Sequence, residues 1–77
     1  MIEGRIRKIA ADILDLDPAL INGATSMENT QSWDSLAHIS LMTALEQHFG
    51  VTFEIDEIES MRTFSLINQV LERKLNA

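Results

Sequence analysis

Hydrophobic positions recur at helical spacing at both ends of the chain and through its middle. Ile2, Ile6, Ile9, Ile13 and Leu16 follow at intervals of four, three, four and three, which puts them on one face of a helix. Glu3, Arg5, Lys8 and Asp12 fall on the other faces. Asp17-Pro18 stops this pattern, because the residue before proline is pushed out of the helical region, so a helix is predicted over about 2–15. A second run, Leu36, Ile39, Met42 and Leu45, is widened by Leu41 and Phe49. It opens at Asp34-Ser35, where the Asp34 carboxylate can accept from the unpaired first-turn amides, and Gly50 fits its C-terminal cap. After Val51-Thr52-Phe53, Asp56 and Glu59 have the spacing of a capping box and predict a brief third helix. Thr63 caps a last helix, whose stripe is Phe64, Ile67, Val70 or Leu71, and Leu75.

Residues 17–33 read instead as a long loop. Asn22-Gly23 is a turn signal, and Thr25, Ser26, Asn29, Thr30, Gln31 and Ser32 offer side chains that compete for backbone groups. Ala19, Leu20, Ile21 and Met27 are expected to pin it to the core. So long a loop in so short a chain implies a use. The expectation is an all-α fold, a single domain over residues 1–77: a small four-helix bundle, three longer helices plus one short helix, with a long first loop.

Composition supports this and narrows the partners. The chain is 45% hydrophobic, with three glycines, one proline and no cysteine, so neither disulfides nor a cysteine zinc site can staple it. Arg5, Arg7 and Lys8 interrupt any apolar leader, and no run is long enough to span a bilayer. A cytoplasmic monomer without membrane insertion is expected. Net charge is −6, and every Lys and Arg lies near an end of the chain. Residues 9–61 hold ten carboxylates and no Lys or Arg. Such a stretch repels phosphates, which disfavours nucleic acid, and it complements a basic protein surface. An acidic surface also simply keeps a small domain soluble. Folding should crowd these carboxylates, raise the pKa of some of them and make the domain more stable at mildly acidic pH than at about pH 8.

Trp33-Asp34-Ser35-Leu36 carries the candidate chemistry. A first-turn serine lies where helix amides and dipole favour an anion, so a phosphodiester on Ser35 would be well placed. This tetrapeptide, the loop before it, the helix order, the length and Leu45-Glu46-Gln47-His48-Phe49-Gly50 together resemble the acyl carrier protein family, over nearly the whole chain. The resemblance implies that Ser35 accepts 4′-phosphopantetheine from coenzyme A through a separate phosphopantetheinyl transferase, and that the chain is a carrier and not an enzyme. The arm's thiol would take acyl groups as thioesters from a loading ligase or transferase and deliver them to downstream biosynthetic enzymes. Asp34, Leu36, Ile39, Met42, Glu46, Asp56 and Glu57 are expected to form the docking surface. Fatty-acid carriers of the family typically have Gly-Ala before Asp-Ser-Leu, an acid after it and another a turn later. Trp33, Ala37 and Ser40 stand there instead. That form looks like stand-alone carriers of specialised pathways, for secondary metabolites, lipids or polysaccharides. An aminoacyl or peptidyl carrier, or an unmodified acidic helical interaction domain, are the alternatives.

The remaining candidates are weaker. Ser35 and His38 share a helix face, but no Gly-x-Ser-x-Gly elbow or glycine-rich loop surrounds them, so His38 is expected to be a solvated surface residue. His38 and His48 lie on different faces, and Asp56, Glu57 and Glu59 lack a calcium-loop pattern, so no metal site is expected. Trp33 is expected to pack over the second helix's first turn against His38, rather than stay partly exposed for a partner enzyme.

Overall fold

In the computed structural model, which describes residues 2–76, the chain folds into four α-helices: α1 (Ile2–Leu14), α2 (Ser35–Phe49), α3 (Ile55–Ser60) and α4 (Phe64–Leu75). The expected plan of three longer helices, one short helix and a long first loop is what forms. The loop is not shapeless. Asp17 caps a 3-10 turn at Pro18–Leu20 by accepting from the Ala19 amide at 2.9 Å.

Local rules explain most boundaries. α1 ends at Asp15, which takes a left-handed φ of 56°, while the Leu16 amide reaches back to the Ala11 carbonyl at 3.0 Å. Asp34 caps α2 by accepting from the Ala37 amide at 2.8 Å, and Gly50 ends it at φ 66°. Thr63 caps α4 by accepting from the Leu66 amide at 3.0 Å. The capping box of α3 lies two residues earlier than the spacing predicted. Glu54 is the N-cap and Glu57 its partner, the Glu57 carboxylate accepting from the Glu54 amide at 2.8 Å.

One core runs through the bundle. Ile6, Leu14, Leu41, Met42, Leu45, Met61, Phe64, Ile67 and Leu71 are its largest enclosed side chains, each contributing about 1.5–3 kcal/mol on burial. On α1 the inner face is Ile6, Ala10, Ala11 and Leu14, with Ile2, Ile9, Ile13 and Leu16 partly buried beside it. On α2 the inner face is His38, Leu41, Met42 and Leu45, whereas Leu36 and Ile39 point outward. Of the residues expected to pin the loop, Ile21 is buried and Leu20 is exposed. Leu75 is likewise outside the core.

The loop is stitched to the junction between α3 and α4. Ser26 and Thr63 form an isolated antiparallel bridge, the Met27 amide donates to the Arg62 carbonyl at 3.0 Å, and the Phe64 amide donates to the Thr25 carbonyl at 2.8 Å. This stitch fixes the segment leading into Trp33 and Asp34.

Candidate functional site

Asp34 and Ser35 stand at the exposed N-terminus of α2, where the loop enters the helix. Among the described residues, the Ser35 hydroxyl makes no hydrogen bond, so its oxygen is open to reaction. Beside it runs a shallow groove of about 350 Å³ between α2 and α3, lined by Met27, Ser35, His38, Ile39, Ile58, Glu59 and Arg62.

The wall of that groove is held by a polar chain running inward from Trp33. Trp33 is buried, and its indole Nε1–H donates to His38 Nδ1 at 3.0 Å. Indole nitrogen can only donate, so Nδ1 must accept, and His38 Nε2–H then donates to the Ile58 carbonyl at 2.7 Å. The two rings lie 5.9 Å apart at 37°. The expected packing of Trp33 on His38 is therefore present. The expected solvation of His38 is not: only 6% of the residue is exposed, because its two ring nitrogens tie the start of α2 to α3.

The predicted docking residues separate into two groups. Asp34, Leu36, Ile39 and Asp56 lie on the surface, with Leu36 77% and Ile39 54% exposed. Met42 corrects the expectation, since its side chain is packed in the core. Glu46 accepts from the Phe53 amide at 2.8 Å and holds the turn after α2. Glu57 faces α4, paired with Lys74 at 2.9 Å and with Arg73 at 3.6 Å. The amide of Glu54, followed by Lys74, holds the Glu57 carboxyl below its usual range. No group of three metal-ligating side chains occurs among the described residues, nor is any of their helices long and apolar enough to cross a membrane.

An exposed first-turn serine with a capped helix behind it and an open groove beside it suits attachment of a flexible group. Comparison with known proteins agrees. A family model described as a phosphopantetheine attachment site matches residues 4–72. The acyl carrier protein of Petrotoga mobilis is 32% identical over 72 residues, covering 94% of this chain and 85% of the relative. The acyl carrier protein of Thermosynechococcus vestitus is 30% identical over 73 residues, covering 95% and 90%. The chain belongs to the acyl carrier protein family. It is a carrier that bears covalent 4′-phosphopantetheine.

The carrier's residues fit that group. Ser35 offers an unhindered oxygen, α2 directs its amide end at it, and the groove leaves room for an arm to lie down. The sequence reading missed His38, Ile58, Met27 and Arg62 as groove residues. His38 had a signal in Trp33 five residues before it, a donor in need of an acceptor once buried. The others reach the groove only through long-range packing.

Proposed function

We propose that Ser35 carries the arm and that the protein shuttles acyl intermediates as thioesters between enzymes of a specialised biosynthetic pathway in the cytoplasm. The observation that carries this reading is the Ser35 hydroxyl, free and exposed at the Asp34-capped start of α2, beside an open groove. Attachment forms a phosphodiester at Ser35 Oγ as the nucleotide half of coenzyme A leaves, the transferase removing the serine proton. Ser35 needs no activating base of its own, which accords with His38 being spent on Trp33 and Ile58. Once attached, the arm supplies the thiol that this cysteine-free chain lacks.

Docking is proposed to centre on Leu36 and Ile39, with Asp34 and Asp56 at the rim. The outward face of α2 supports this, since it presents Leu36, Ile39, Ser40, Thr43 and Gln47 and few charges. Partners, the loading ligase or transferase among them, would then meet an apolar patch with an acidic border. The same lack of carboxylates on α2 favours the specialised subtype over the housekeeping one.

The test is direct. Apo protein is incubated with coenzyme A and a broad-specificity phosphopantetheinyl transferase, and the added mass is mapped by fragmentation. One arm on Ser35 is expected, and none in Ser35→Ala. An adduct on Ser26, Ser32 or Ser40 would overturn the assignment. For docking, Leu36→Ala and Ile39→Ala should each lower the transferase's kcat/KM more than Met42→Leu does. Raising the salt should lower it less than an all-electrostatic interface would require.

A further inference from the structure

The groove beside Ser35 contains one permanent cation. Arg62 lines it together with Ser35, and Glu59 is the carboxylate on the same wall. An arm on Ser35 would bring a phosphodiester anion next to Asp34, whose carboxylate already occupies the Ala37 amide. Helix amides alone therefore serve two negative groups at this end of α2. His38 is in the groove but gives no compensating charge, since Trp33 takes Nδ1 as an acceptor and Nε2–H is spent on Ile58. Other cations are engaged or distant. Arg7 pairs with Glu3, and Arg73 and Lys74 pair with Glu57. Arg5 and Lys8 line a separate hollow with His48, near the far end of α2, roughly 20 Å along the helix from Ser35.

Arg62 is also held in place. Its carbonyl accepts from Met27, its neighbour Thr63 bridges to Ser26, and both Nε (at 2.9 Å) and Nη2 donate to a single oxygen of Glu28. A guanidinium has five N–H donors, and this pairing uses two. The side chain is still 53% exposed, so its remaining donors can turn to a new anion.

We propose that Arg62 binds the phosphate of the arm, pairing with the phosphodiester on Ser35 while Glu28 keeps the guanidinium over the groove. This rests on Ser35 being the attachment site. A guanidinium suits the task because its planar fork matches phosphate oxygens and it stays charged at every working pH. The pairing would lay the root of the arm toward α3 and the loop, and so bias where the thiol emerges.

The experiment first separates the two claims by intact mass. If no arm is found on Ser35, the carrier reading fails and Arg62 with it. With the modified protein in hand, the ³¹P resonance of the phosphodiester and the Arg62 side-chain Nε–H resonance are followed by NMR. On modification of the wild-type protein, the Arg62 Nε–H signal should shift, whereas Ser35→Ala treated identically should not change. The ³¹P signal should differ between wild type and Arg62→Gln, and Arg62→Lys should restore part of the difference. Raising salt from about 0.01 M to 1 M, which shortens the Debye length from roughly 30 Å to 3 Å, should move the wild-type ³¹P signal toward that of Arg62→Gln. An unmoved Arg62 Nε–H on modification, or a ³¹P signal identical in wild type and Arg62→Gln, overturns the inference and leaves the attachment site standing. The Nε–H measurement uses the wild-type chain, so it decides the matter even if the variant folds poorly.

Discussion

At the scale of single residues, what the sequence makes legible is what local chemistry alone determines. Asp34 and Thr63 cap helices as expected, because a cap needs only its own side chain and the amides two or three residues on. Replacing Asp34 with Ala should cost about 1 kcal/mol, read from denaturant melts of the unmodified protein. Ser35→Ala, at an exposed position with no hydrogen bond to lose, should stay within about 0.5 kcal/mol of wild type while losing the arm. Met42 and His38 were misjudged for one reason. Whether a helical side chain is buried depends on where the neighbouring helices lie, and periodicity names a stripe without saying which edge of it turns inward. His38→Phe makes this measurable. It leaves the buried Trp33 Nε1–H and the partly buried Ile58 carbonyl without their partner, and should cost about 2–3 kcal/mol. Removing both polar partners with Trp33→Phe and His38→Phe together should cost less than the two single losses added, since no orphaned indole donor remains.

Element boundaries divide in the same way. α2 begins and ends, and α4 begins, where their capping residues put them. α3 does not, because both Glu54/Glu57 and Asp56/Glu59 have the right spacing, and tertiary pairing chooses between them. Lys74 and Arg73 on α4 draw Glu57 inward, and that fixes the register of the short helix. Glu57→Gln should therefore lower the melting midpoint more than Asp56→Asn, since only Glu57 both closes the box and joins α3 to α4. The end of α1 holds a different kind of signal. Asp15 adopts a left-handed φ of 56° that glycine takes without strain, and its carboxylate sits at the negative end of the helix dipole. Asp15→Gly should stabilise the protein by about 1 kcal/mol, a rise of roughly 4–8 °C in a thermal melt of so small a domain. A fall in the midpoint would show that the Asp15 side chain makes a contact outweighing its backbone strain.

For the whole molecule, charge separated along the chain is not charge separated in space. Ten carboxylates between residues 9 and 61 suggested mutual repulsion, raised pKa values and greater stability at mildly acidic pH. Folding instead brings the basic ends back onto the acidic middle. Arg62 reaches Glu28 across 34 residues, and Arg73 and Lys74 reach Glu57. The Arg62 hydrogen bond holds the Glu28 carboxyl below its ordinary value of 4.5, and Glu57 is lowered as well. The sign of the pH dependence follows. A carboxyl with a depressed folded pKa binds fewer protons when folded than when unfolded, so its stabilisation is present above the unfolded value and is lost as pH falls through the folded one. Between about pH 8 and pH 5.5 both carboxyls are ionised in either state and add no slope. Below about pH 4.5 the melting midpoint should drop as these two pairs are lost, while the expected gain at mildly acidic pH has to come from the other carboxylates. Thermal melts taken from pH 8 down to about pH 3 check this, with Glu28→Gln and Glu57→Gln combined as the control. The double variant should start from a lower midpoint at neutral pH and show a shallower fall in acid, because it has already lost the two pairs that acid would break. A midpoint that climbs as pH drops toward 4.5 would mean that repulsion among the remaining carboxylates outweighs both pairs, and that the acidic middle of the chain is crowded after all.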